Sequence, residues 1–94
     1  MAAARLHAII SGRVQGVGFR YFAQHHGLSL GLRGWVRNLR GSQVEVAAEG
    51  EREALEQLAA VLREGPAGAH VTHAEVTWGE PRGEPAGFHV GPSG

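Results

Sequence analysis

Residues 43–65 read QVEVAAEGEREALEQLAAVLREG and change period in mid-stretch. In the first half Val44, Val46 and Ala48 alternate with Gln43, Glu45 and Ala47, the two-residue repeat of a strand with one face in a core. In the second half Leu55, Leu58, Ala59 and Leu62 recur every three or four residues, the apolar stripe of a helix. Glu51 and Glu53 suit the positive end of the helix dipole, and Gly65-Pro66 ends the helix.

Upstream, LRGWVRNL (32–39) also alternates, with Arg33, Trp35 and Arg37 on one face and Gly34, Val36 and Asn38 on the other. Arg40-Gly41-Ser42 is a short turn, so 32–39 and 43–50 form a hairpin. Farther upstream, RLHAIIS (5–11) reads as a strand. From Phe19 or Arg20 to about Leu30, the residues Phe19, Ala23, Gly27 and Leu30 line one helical face, and Gly31 stops the helix. Gly27 on that face allows a close approach to the sheet. Downstream, HVTHAEVTW (70–78) is a strand with Val76 and Trp78 on one side, and FHV (88–90) fits a short fifth strand at an edge. The order β-α-β-β-α-β predicts an α+β fold, a ferredoxin-like split β-α-β sandwich with two helices on one face of an antiparallel sheet. Right-handed crossovers bring the first and third strands side by side. Such a fold has many uses, and function has to be read from a site.

The chain has 94 residues, enough for a single domain over 1–94, with GPSG (91–94) expected as a loose tail. It has no cysteine, which excludes a disulfide framework, a thiolate metal site and a cysteine nucleophile. All nine cations are Arg and all nine anions are Glu. That balance leaves no broad basic field for nucleic acid or an anionic membrane, so small-molecule partners are expected. Arg5 and His7 interrupt the apolar run of MAAARLHAII short of a signal segment, and a soluble cytoplasmic protein is the expectation.

Between the first strand and first helix stands GRVQGVGFR (12–20), with glycines at 12, 16 and 18. Glycines there can turn the unpartnered N–H groups of a helix start inward as an anion seat, to which Arg20 adds a charged fork. The P-loop pattern does not fit, because the chain has no Lys; the dinucleotide fingerprint does not fit either, because Tyr21 stands where its third glycine would be. As a bare pattern, G-x-x-x-G-x-G leaves both an ordinary strand-to-helix turn and an anion site open.

The identity of the residues adds more. GRVQGVGFR resembles the signature loop of acylphosphatases, and GWVRN (34–38), whose Asn38 stands eighteen positions beyond Arg20, resembles the family's second motif. The likeness extends through VEVAAEG, the second helix and the C-terminal strands. It implies hydrolysis of an acyl phosphate to a carboxylate and inorganic phosphate, without metal or other cofactor, by a monomer. Matched position by position, Arg20 becomes the catalytic phosphate-binding guanidinium and Asn38 the catalytic residue that orients the attacking water. Gln15, Gly16, Val17, Gly18 and Phe19 supply the main-chain amides of the phosphate seat. Where relatives commonly carry Asp-Gly, the hairpin turn here has Arg40-Gly41-Ser42.

Two rivals stand beside this reading. One is a catalytically silent phosphate-binding regulatory module, which would have no need of Asn38. The other is a domain of a larger carbamoyl-phosphate-handling enzyme; the start at Met1 and the end in GPSG favour a free-standing protein. Other polar residues read as structural. His70 and His73 should point to opposite faces of a strand, and His25 and His26 should be one exposed and one half-packed. Glu45 and Glu49 alternate on a strand rather than pair on a metal, and Trp35 packs. Arg13, beside the seat, reads as a solvated side chain ahead of a substrate-capturing one.

Overall fold

The computed structural model describes residues 2–94. Its strands are β1 (Ala3–Arg13), β2 (Arg33–Leu39), β3 (Gln43–Glu51), β4 (His70–Gly79) and β5 (Phe88–Val90), and its helices are α1 (Phe19–Ser29) and α2 (Arg52–Glu64). One sheet holds all five strands in the order β4-β1-β3-β2-β5. β1 and β3 are neighbours at its centre, as right-handed crossovers require.

The alternation in the sequence sets the two faces. Leu6, Ala8 and Ile10 of β1, Val36 of β2, and Val44, Val46 and Ala48 of β3 are fully buried on the side the helices cover. Against them α1 lays Phe19, Ala23 and Gly27, and α2 lays Leu55, Leu58, Ala59 and Leu62. Gly27 makes room for a ring rather than for a strand backbone: a Cβ there would stand 2.4 Å from the side chain of the buried Phe88. At the start of α2 the Arg52 guanidinium lies 3.7 Å from the centre of the Trp78 ring and ties the helix to β4.

Two expectations are corrected. The four-strand core is antiparallel, but β5 pairs with β2 in parallel, so the sheet is mixed. The cause is the segment between β4 and β5, which carries the chain from one edge of the sheet to the other and so enters along β2 in the same direction. The expected loose tail over 91–94 instead follows β2: the Gly91 N–H donates to the Val36 carbonyl and the Gly94 N–H to the Asn38 carbonyl, each at 2.8 Å. The hairpin turn is made with Gly41 at φ 71° and Ser42 at φ 63°. Two left-handed residues match the twist of the paired strands.

Glu49 holds the crossing segment. Its carboxylate, 5% exposed on the face opposite the helices, accepts from the main-chain N–H groups of Arg82, Gly83 and Glu84 at 2.7, 3.1 and 3.0 Å. Arg5 Nη1 donates to the same carboxylate at 2.6 Å and to Glu84 at 2.9 Å. Burial by itself would push this carboxyl up, but the donors of Glu84, Arg82, Arg5 and Gly83 outweigh it and hold the pKa at about 2.

Because the folded value lies below the ordinary 4.5, this stabilisation is complete above about pH 4.5 and is lost as pH falls toward 2. It is worth on the order of 3 kcal/mol at neutral pH. Urea unfolding at stepped pH should show Glu49→Gln less stable than the parent at pH 7, with the gap closing between pH 4.5 and 2. A gap that stays constant over that range would contradict the role given to Glu49.

Candidate active site

β1 and β2 run in the same direction with antiparallel β3 between them, so their C-terminal ends lie together at one end of the sheet. In register, Asn38 of β2 faces Val44 of β3, and Val44 faces Ile10 of β1. The loop that leaves β1, the start of α1 and Asn38 therefore share that end, and Asn38 stands on the helix-facing side with Val36.

The loop is clamped at both ends and open between. The pairing of β1 with β4 slips between Ser11 and Gly12, a bulge that turns the chain out of the sheet. Val14 and Phe19 are each 1% exposed and anchor the loop in the core. Between them Gly16 and Gly18 take φ of 73° and 78°, and neither would bring a Cβ within 4 Å of another group. The backbone angle, not crowding, selects glycine at both.

Those angles leave a run of free donors. The first helical hydrogen bond of α1 runs from the Phe22 N–H to the Gly18 carbonyl at 3.0 Å. Among the described residues no protein acceptor takes the main-chain N–H of any residue from Gln15 to Tyr21. Gly18, at the N-cap, offers no side-chain cap, and the first turn of α1 carries no acidic residue. Donors at an uncapped helix start carry partial positive charge and lack partners, an arrangement that an anion can complete.

Arg20 lies half-buried in that first turn. Ion pairs among the described residues engage Arg5, Arg37, Arg52 and His7, and Arg20 is in none of them. The Asn38 side chain is half-buried and takes part in none of the side-chain hydrogen bonds among the described residues. Gln15 behaves differently. Its Nε2 donates to the Leu39 carbonyl at 2.5 Å and to the Gln43 carbonyl at 2.9 Å, a side-chain contact that the sequence did not announce.

Of the remaining polar residues, Glu45 accepts from Arg37 Nε and pairs with His7 Nε2, each at 2.7 Å, on the face opposite the helices. Burial alone would raise the Glu45 pKa, and the hydrogen bonds from His7 and Arg37 bring it below the usual carboxylate value. His25 is exposed and His26 half-buried against Phe22, while His70 and His73 are both exposed. Among the described residues no cluster of three or more His and Glu could hold a metal ion. Concavities of about 320, 350 and 260 Å³ are lined around Trp35 and Arg37, around Arg52 and Trp78, and around Arg33 and Glu49. No residue of 12–20 lines any of these three. Among the described residues no helix is long and apolar enough to cross a membrane.

The fold defines a class: a ferredoxin-like α+β sandwich, here with a run of unpartnered N–H donors at a strand-to-helix loop. The sequence model described as Acylphosphatase matches residues 6–90. An acylphosphatase of Thermus thermophilus is 54% identical over 86 residues, covering 92% of this chain and 97% of that one. The crystal structure of acylphosphatase from Bacillus subtilis superposes with a TM-score of 0.89 at 36% identity, over 93% of this chain and 97% of the other. Full-length HypF, in a phosphate- and nucleotide-bound form, contains a similar unit with a TM-score of 0.88 at 26% identity, covering 98% of this chain but 12% of HypF. The chain belongs to the acylphosphatase family, and it is an acylphosphatase enzyme.

The left-handed angle at Gly18 makes a direct test possible. Gly18→Ala should cost about 1–2 kcal/mol of strain, and relief of that strain would rotate the free N–H groups. Thermal unfolding should register a modest loss of stability, and calorimetric titration with inorganic phosphate a larger proportional loss of affinity. Unchanged phosphate affinity would mean that the loop angle does not matter to the seat.

Proposed function

We propose that this chain, acting as a single domain over 1–94, hydrolyses the carboxyl–phosphate bond of acyl phosphates by direct attack of water, without a metal ion. The observation that carries the proposal is the meeting, at one end of the sheet, of the unpartnered N–H groups of 15–21, the unpaired Arg20 and the unengaged carboxamide of Asn38.

In this reading the main-chain amides of Gln15, Gly16, Val17, Gly18 and Phe19 and the guanidinium of Arg20 surround the phosphoryl oxygens. The transition state spreads negative charge over three equatorial oxygens, a distribution that a ring of N–H donors with one Arg matches. Asn38 accepts a hydrogen bond from water through its carboxamide oxygen and holds it in line with the bond to be broken. The water oxygen forms a bond to phosphorus, the bond from phosphorus to the acyl oxygen breaks, and the carboxylate leaves with the electron pair. The proton shed by the water passes to a phosphate oxygen or to solvent.

The leaving group explains why so little machinery suffices. A carboxylate has a conjugate acid of pKa about 4 and departs without a proton donor. A chain without Cys or Asp has neither a phosphocysteine nor a phosphoaspartate route. The same reading takes the protein as a cytoplasmic monomer acting on small molecules and not on nucleic acid, supported by the exact balance of nine cations and nine anions.

Steady-state hydrolysis of an aromatic acyl phosphate, with inorganic phosphate as competitor, tests the assignments. Arg20→Ala should lose turnover by about 10³-fold or more together with phosphate inhibition. Asn38→Ala should lose kcat while keeping phosphate inhibition. If Asn38→Ala instead raises KM at constant kcat, Asn38 does not orient water. Addition of a chelator should leave the parent rate unchanged, and a chelator-sensitive rate would overturn the metal-free reading.

A further inference from the structure

We infer that the side chain of Gln15 is a positioning residue for the reaction, fixing the gap between the phosphate seat and Asn38. The inference rests on the function proposed above, in which the main-chain amide of Gln15 belongs to the seat; the side chain has a separate task.

A carboxamide nitrogen has two N–H donors. Those of Gln15 go to the carbonyls of Leu39 and Gln43, residues that face each other at the mouth of the β2–β3 hairpin. Leu39 directly follows Asn38, and Gln15 directly precedes Gly16. One side chain therefore joins the residue next to the soft part of the loop to the residue next to the water-orienting carboxamide. Gln43 extends the link back to β1 by donating through its own Nε2 to Ser11 Oγ at 3.1 Å.

The link is needed because the two halves of the site have different supports. Asn38 stands on a strand paired on both sides, with β3 and with the β5 segment. The seat hangs on a surface loop whose two left-handed glycines leave it to be held by Val14 and Phe19 at its ends. Phosphate affinity depends on donors that travel with the loop, whereas rate depends on where the loop sits relative to Asn38. A misplacement of about 1 Å can cost about 10²-fold in rate. Loss of the Gln15 bridge should thus appear in kcat and spare phosphate binding.

The test is a set of variants assayed on an aromatic acyl phosphate with inorganic phosphate as competitor, each checked for folding by thermal unfolding. Gln15→Met keeps the length and removes the donors. It should lower kcat about 10- to 10²-fold, with phosphate inhibition within about twofold of the parent. Gln15→Lys restores donors and should recover part of the rate. In an Asn38→Ala background, Gln15→Met should lower kcat no further, because its effect passes through Asn38. An unchanged kcat in Gln15→Met overturns the inference, as does an equal loss in both backgrounds or a loss in KM alone. If Gln15→Met does not fold, Gln15→Lys decides alone: a kcat between those of Asn38→Ala and the parent, with phosphate inhibition kept, is expected, and a kcat as low as that of Asn38→Ala overturns it. Failure of the functional reading would look different, as full activity in Asn38→Ala itself, and would remove the inference with it.

Discussion

β3 lies between β1 and β2 and is antiparallel to both, and the site follows from that insertion. A right-handed crossover through α1 forces β1 and β2 to be parallel, so both strands end where α1 begins. Eighteen residues of sequence separate Arg20 from Asn38, yet the sheet brings the loop before one and the strand beneath the other to the same end. Helices on one face then bury Phe19 and Val14, which pins the loop without occupying its donors.

The opposite end of the sheet completes the support. Glu49 collects three main-chain donors and Arg5, and in doing so holds the segment that delivers β5 to the outer edge of β2. The tail beyond β5 goes on to bond the Asn38 carbonyl. A carboxylate at the far end of the sheet therefore helps to fix the strand that carries Asn38. On the face opposite the helices Glu45 is held by His7 and Arg37, so these two carboxylates are engaged away from Arg20. Arg20 stays outside these ion pairs.

The element order, the faces of the strands and the neighbouring of β1 and β3 were legible, because each rests on local periodicity: Val44, Val46 and Ala48 on one side, Leu55, Leu58 and Leu62 at helical spacing. The loop was legible through its glycines, whose positive φ at 16 and 18 is a property of single residues. What could not be read were contacts made across the chain by unremarkable residues. Nothing local tells Gln15 that Leu39 and Gln43 will lie beside it, or Glu49 that three N–H groups some 33 to 35 residues away will converge on it. The parallel entry of β5 and the paired tail escaped for the same reason: they depend on where the crossing segment leads.

The phosphate seat proposed above consists of the free main-chain donors of 15–19 and the Arg20 guanidinium. The most direct measurement is a titration of ¹⁵N-labelled protein with inorganic phosphate, followed by amide and guanidinium chemical shifts. The largest shifts should fall on the N–H groups of residues 15–20 and on Arg20 Nε, saturating together as one site. Shifts confined to Trp35, Arg37 and Gly91, with the 15–20 amides unmoved, would contradict it.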